Sequence, residues 1–251
     1  MYINKIVKVI MSIMLSMLLL VFMVGCQPEE PRQPQKTETS EFEDGTYTGY
    51  SNATEHGYAW AKVTIKDDDI TDVKLMEITS KGNEKDYETY QYEPSVKAHE
   101  EMPEKFERAN SADVENYSGA THSSEKFKQA VERALIQARG GYTGKYFDGT
   151  FQGRSDKTEY GYAVALVTIK DDKITDVELK EVNGEGEWKD FSQYDWEPAV
   201  EANEEMPERF IEANSYDVDT YSKATQSSIK YKEAVKRALE HARKNPEKEV
   251  K

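Results

Sequence analysis

The stretch Ala59-Trp60-Ala61-Lys62-Val63-Thr64-Ile65-Lys66-Asp67-Asp68-Asp69-Ile70-Thr71-Asp72-Val73 returns 104 residues later as Ala163-Val164-Ala165-Leu166-Val167-Thr168-Ile169-Lys170-Asp171-Asp172-Lys173-Ile174-Thr175-Asp176-Val177. In the first copy Ala59, Ala61, Val63 and Ile65 alternate with Trp60, Lys62 and Thr64, the pattern of a half-buried strand. Lys66-Asp67-Asp68-Asp69 is a polar turn. Ile70 to Ile78 is the return strand, with Val73 and Leu75 facing inward. In the second copy Asp171-Asp172 is the turn and Ile174 to Val182 the return strand. Each copy therefore contains an antiparallel hairpin or meander.

Working outward, the match runs without a gap from Gly45–Ala138 to Gly149–Ala242, with 55 of 94 positions identical. This sets two tandem domains of about 95 residues, each large enough for one modest core. Gly45 to Tyr50 and Gly149 to Arg154 read as short first strands. A polar, aromatic-rich loop follows the meander, Lys81 to Glu93 and Glu185 to Glu197. Pro94 to Ala109 reads as helix, expected in two pieces because proline is disfavoured in a helix interior. Asn110-Ser111 ends it. In the last helix Phe127, Ala130, Val131, Ala134, Leu135 and Ala138 recur at helical spacing. Tyr231, Ala234, Val235, Ala238, Leu239 and Ala242 repeat the stripe. The fold class expected is α+β: two tandem homologous domains, each an antiparallel sheet with helices packed on one face.

The boundaries read as 1–25 signal peptide, 26–43 Pro-rich tether, 44–138 first domain, 139–147 flexible connector, 148–242 second domain and 243–251 polar tail. Lys5 and Lys8 precede an apolar run from Val9 to Val24, and Gly25 precedes Cys26, the sole cysteine. That is the layout of an export signal. Met23-Val24-Gly25-Cys26 resembles a bacterial lipobox with Met in place of the usual Leu, which implies cleavage and lipidation at Cys26. A plain membrane anchor is the alternative, although the run is short of the roughly 20 residues that span a bilayer. Either way the expected location is the extracytoplasmic side of the cell membrane. The tether holds Pro28, Pro31 and Pro34 and one large apolar residue, Phe42, too little to bury a core. One cysteine also leaves no intramolecular disulfide and no CxxC pair.

Formal net charge is −15; setting aside the first 25 residues leaves 31 basic against 48 acidic side chains, a net charge of −17. Such a surface repels phosphate backbones and argues against nucleic acid as a partner.

A residue needed by shared chemistry should stand in both copies. His56, His99, His122 and His241 face Tyr160, Asn203, Gln226 and Gln137, so no histidine is shared. Ser/His hydrolysis and His-ligated metal are unsupported, and the four read as surface residues. The shared acids Asp67-Asp68, Glu100-Glu101 and Asp113 read as turn and helix-face residues, with no EF-hand spacing. What survives is Tyr117-Ser118-Gly119-Ala120-Thr121-His122-Ser123-Ser124 and its copy Tyr221-Ser222-Lys223-Ala224-Thr225-Gln226-Ser227-Ser228. Hydroxyl residues before a helix serve as N-caps. A helix N-terminus also favours a bound phosphate.

These motifs, with Asp44-Gly45-Thr46-Tyr47-Thr48-Gly49 and Ala109-Asn110-Ser111, resemble the FMN-binding domain family, over nearly all of both repeats. That family includes the C subunit of the sodium-pumping NADH:quinone reductase, the G subunit of the Rnf complex and lipoproteins of extracellular electron transfer. The resemblance implies that a flavin transferase using FAD attaches FMN by a phosphodiester to Thr121 and Thr225, the last residues of acidic-x-x-Ser/Thr-Gly-Ala-Thr motifs. Ser118, Gly119, Ala120, Ser222 and Ala224 complete the motifs, and Tyr117 and Tyr221 are candidates to contact the flavin ring. Tyr87, Tyr90, Tyr92, Phe191, Tyr194 and Trp196 line the variable loop. Two departures stand out: Glu115 where the family has Asp, and Lys223 where it has Gly. Lys223 is strained if φ must be positive there; otherwise its ammonium can pair with the phosphate. The implied function is a redox carrier with no catalytic side chain of its own, taking electrons from a membrane donor such as a quinone-linked dehydrogenase to an external acceptor. The alternative is a surface lipoprotein that uses the fold without flavin.

Overall fold

The computed structural model describes residues 40–245. Cys26, the export signal and most of the tether lie outside the described residues. The first repeat forms β1 (Gly45–Tyr50), β2 (Tyr58–Lys66), β3 (Asp69–Ile78), α1 (Glu93–Ala109) and α2 (Thr121–Arg139). The second forms β4 (Gly149–Arg154), β5 (Tyr162–Lys170), β6 (Lys173–Val182), a single 3₁₀ turn at Phe191–Gln193, α3 (Glu197–Ala213) and α4 (Thr225–His241). The sheets run β1-β2-β3 and β4-β5-β6, antiparallel throughout. The expected α+β class and its two tandem domains are observed.

The hairpins close by pairing Lys66 with Asp69 and Lys170 with Lys173. That leaves two-residue turns, whose twist demands positive φ at both central positions. Asp67 and Asp68 stand at +53° and +73°, Asp171 and Asp172 at +50° and +62°. Ala61, Val63, Ile65, Val73 and Leu75 face inward against Met102 and Phe106 of α1 and Phe127, Val131 and Leu135 of α2. Tyr231 takes the place of Phe127 in the second core. The last helix of each repeat lies close on its first strand. A Cβ at Gly49 would sit 2.1 Å from the Ala130 carbonyl oxygen, and one at Gly153 2.0 Å from that of Ala234.

Three expectations are corrected. First, α1 and α3 are each continuous through Pro103 and Pro207. The flanking pairs Met102/Phe106 and Met206/Phe210 are fully buried on one face, so packing on both sides of the proline holds the halves in line. Second, packing begins before Asp44. Phe42 is buried in the first core, and its N–H donates to Asp68 Oδ1 at 2.8 Å. Third, the connector ends in structure. Tyr146 and Phe147 are buried in the second core, and Asp172 Oδ1 accepts the N–H groups of Lys145 and Tyr146, both at 2.8 Å. The hairpin turn thus captures the chain entering each domain.

The two repeats form one compact unit. The Arg133 guanidinium donates to Tyr50 O and Asn52 Oδ1, both at 2.6 Å, and to Asp148 O at 3.1 Å. Arg154 donates to Gly82 O at 3.0 Å and Asn83 Oδ1 at 2.8 Å. His241 stacks on Tyr50, ring centroids 4.0 Å apart, and its Nδ1 meets Gln152 O at 2.8 Å.

Candidate functional site

The attachment motif is a tight turn into α2. Ala120 N–H donates to Tyr117 O at 3.0 Å. Ser124 Oγ accepts the Tyr117 N–H at 2.9 Å and donates to Ala120 O at 2.8 Å. Ser228 does the same for Tyr221 and Ala224, at 2.9 Å in both bonds. Gly119 stands at φ +79° and Lys223 at +64°. The turn therefore does require positive φ, and Lys223 adopts it against the preference of an L side chain.

Ala120 and Ala224 are buried, while Ser118, Thr121, Ser222 and Thr225 are exposed. Thr121 and Thr225 are the first residues of α2 and α4. Among the described residues no side-chain hydrogen bond caps either helix. The expected N-cap role is thus not taken up. The first-turn N–H groups carry the positive end of the helix dipole toward an exposed threonine hydroxyl. This arrangement fits a phosphate ester at that hydroxyl.

Tyr117 and Tyr221 adjoin the turn but reach backward. Tyr117 OH lies 3.4 Å from Glu101 Oε1, and Tyr221 OH donates to Glu201 Oε2 at 3.0 Å. Both rings pack against the core. The ring that touches the first turn belongs to Tyr92, whose hydroxyl donates to Gly119 O at 2.6 Å. Tyr90, Tyr92, Tyr194 and Trp196 are exposed. Tyr87 instead folds inward and stacks on His99, centroids 3.9 Å apart.

Beneath this turn lies a cluster the sequence reading did not single out. Glu77 faces inward from β3 and is 2% exposed. Lys85 Nζ meets its Oε2 at 2.5 Å, and Lys126 Nζ meets its Oε1. Tyr87 OH, Ser123 Oγ and Ser95 Oγ donate to Oε2 at 3.1, 3.1 and 3.2 Å. Burial opposes ionisation of Glu77, but Lys126 and Lys85 outweigh it and hold the carboxyl at about 2. In the second domain Lys189 and Lys230 meet Glu181 Oε2 at 2.6 and 2.7 Å. Glu181 is likewise held below the usual carboxylate range: burial works against ionisation, and Lys230 and Lys189 prevail. The signal was present in parity. Val73, Leu75 and Glu77 occupy alternate positions of one strand, so the glutamate shares their inward face.

The histidine reading needs correction at two positions. His56 and His122 are exposed. His99 and His241 are both partly buried, His99 with Nε2 on Leu75 O at 2.9 Å and His241 between the repeats against Tyr50 and Tyr58. Burial depresses both, His241 to about 4.

A family-model match agrees with the tandem repeat. A family model described as the FMN-binding domain matches residues 56–136 and again 160–240, well over half the chain. Among solved structures, the CPE2226 protein from Clostridium perfringens is similar at 26% identity. That match covers 39% of this chain and 88% of that one, with a TM-score of 0.34. No curated protein matches. The chain belongs to the FMN-binding domain family, carries its domain twice in tandem, and is a flavin-binding protein.

Proposed function

We propose that this protein is a membrane-anchored, extracytoplasmic electron carrier. FMN is joined by a phosphodiester to Thr121 and to Thr225, and the chain is tethered through lipid on Cys26. The observation that carries the reading is the exposed threonine at the first position of an uncapped helix, held by the same positive-φ turn in both copies. The flavin supplies the electron-accepting and electron-donating chemistry, and the protein supplies attachment and surroundings. The first-turn N–H groups of α2 and α4 face the phosphate, and Ser124 and Ser228 hold the turns in shape. A flavin transferase using FAD loads the protein, a quinone-linked membrane dehydrogenase donates electrons, and an external acceptor removes them.

The test is to express residues 27–251 with a flavin transferase and FAD, then record the intact mass and the absorption spectrum. Two FMN adducts are expected, one lost in Thr121→Val, the other in Thr225→Val, and both in the double variant. A colourless protein of unmodified mass would sink the reading. Adducts that persist in the double variant would refute the threonine assignment.

A further inference from the structure

A buried charge at an inward strand position is costly. Apolar residues of similar volume often replace a buried ion pair with no loss of stability. Core stability alone thus gives little reason to keep one. Yet the glutamate and both lysines stand in each repeat, although 39 of the 94 aligned positions differ. Their placement is also unusual. Ser95 belongs to the first turn of α1 and Ser123 to the first turn of α2, and both hydroxyls reach the Glu77 carboxylate. Two helix N-termini therefore converge on this point, each contributing partial positive charge. Two ammonium groups against one carboxylate leave the cluster net positive inside a chain of formal charge −15.

The cluster reaches the surface through an aromatic ring. Lys85 Nζ lies 4.1 Å from the centroid of Tyr90, which is 41% exposed. Lys189 Nζ lies 5.0 Å from that of Tyr194, 39% exposed. Two residues after Tyr90, Tyr92 holds the carbonyl of Gly119 in the attachment turn. Contacts thus join Tyr92 to the Thr121 turn and Tyr90 to Lys85 and Glu77, and the two tyrosines stand two residues apart in one loop.

We propose that Lys85–Glu77–Lys126 and Lys189–Glu181–Lys230 set the reduction potential of the flavin on the neighbouring turn, with Tyr90 and Tyr194 as the faces on which the isoalloxazine rests. This rests on the reading that Thr121 and Thr225 carry FMN. Two electrons from a reductant and one proton from water leave the ring system with one added negative charge. A positive cluster behind the ring favours that form by Coulomb attraction, and the cluster itself is largely withdrawn from water, with the Glu77, Lys85 and Lys126 side chains 2%, 16% and 12% exposed. The carboxylate offsets one of the two ammonium groups. The sign of the effect therefore depends on which residue is changed.

The experiment uses loaded protein in a Thr225→Val background, so that one flavin is read. Intact mass first establishes the adduct on Thr121; its absence would refute the underlying attachment and this proposal with it. Spectroelectrochemical titration with dithionite then gives the potential. Lys126→Met is expected to shift the oxidised/reduced equilibrium about tenfold toward the oxidised form, about 30 mV lower for a two-electron couple. Glu77→Gln is expected to shift it by a similar factor the other way, and Lys126→Arg to restore the parent value. A purely structural role lowers unfolding midpoints in both variants without opposed potentials. Unmoved potentials, or two that move in the same direction, overturn the charge assignment even where the adduct is present. Tyr90 is exposed, so Tyr90→Leu tests the platform if the buried variants do not fold. Removing the stacked, quenching ring should raise flavin fluorescence severalfold, and unchanged fluorescence refutes the contact.

Discussion

Lys223 and Gly119 hold the same backbone conformation with different side chains. An L residue in the left-handed region costs about 1–2 kcal/mol, partly offset by the greater freedom glycine has in the unfolded chain. Lys223→Gly should therefore stabilise the protein by about 0.5–1 kcal/mol, measured as a higher urea midpoint at unchanged slope. The reverse change, Gly119→Lys, should cost somewhat more, because its Cβ would also press on Pro94 at 3.3 Å. That a lysine is kept in this strained conformation supports Thr225 as an acceptor: the turn has been retained although its glycine has not.

At the scale of elements, the contact between helix and first strand is the least forgiving. Gly49→Ala places a methyl 2.1 Å from a carbonyl oxygen of α2, where the neighbouring atoms are backbone and cannot rotate away. Overpacking of this kind costs about 1–3 kcal/mol or more, and thermal unfolding of Gly49→Ala should show a loss in that range. The entering chain is the second such point. Phe42 fills the core beneath the hairpin turn, so Phe42→Ala should cost about 3–5 kcal/mol. A chain shortened to begin at Asp44 should lose at least as much in the same unfolding assay. The exchange of four positions between the domains shows how one element compensates another. Phe191, Ala199, Asn203 and Tyr231 stand where Tyr87, Ser95, His99 and Phe127 stand in the first. Phe191 removes the hydroxyl that Tyr87 turns on Glu77. In the second domain the Tyr231 hydroxyl comes near Glu181 from the last helix and accepts from Asn203 at 3.2 Å.

In the whole molecule, the interface between repeats carries a titratable group. His241 is neutral in the fold because burial lowers it from 6.5 to about 4. Between these values the unfolded chain binds more protons than the folded one, so stability rises with pH across the window. The contribution is full above pH 6.5 and is lost as pH falls toward 4, up to about 3 kcal/mol in all. His241→Gln, the residue of the other copy, should flatten part of that slope; His99, also depressed by burial, contributes in the same direction. Glu77 acts lower. Its contribution is present above about pH 4.5 and is lost as pH falls toward 2. Arg154 of the second repeat donates to Gly82 O and Asn83 Oδ1 of the first, so Arg154→Met should weaken the coupling of the repeats. Calorimetry is expected to resolve two transitions where the parent shows one.

The sequence by itself determined the tandem duplication, the order of strands and helices, the hairpin turns and the amphipathic helix that follows each Ser-x-Ala-Thr turn. These follow from short-range properties: side-chain alternation along a strand, a stripe along a helix, and turn chemistry within a few residues. Copy-against-copy comparison extended this reach to the attachment turn. Only the tertiary structure decided that Phe42, Tyr146 and Phe147 belong to the cores, that Pro103 lies in an unbroken helix, and that His241 closes the domain interface. It alone brought Glu77 together with Lys85 and Lys126. Each of these depends on residues distant in the chain whose contacts leave no local period, and a charged group can stay buried only when the fold delivers its partners from other elements.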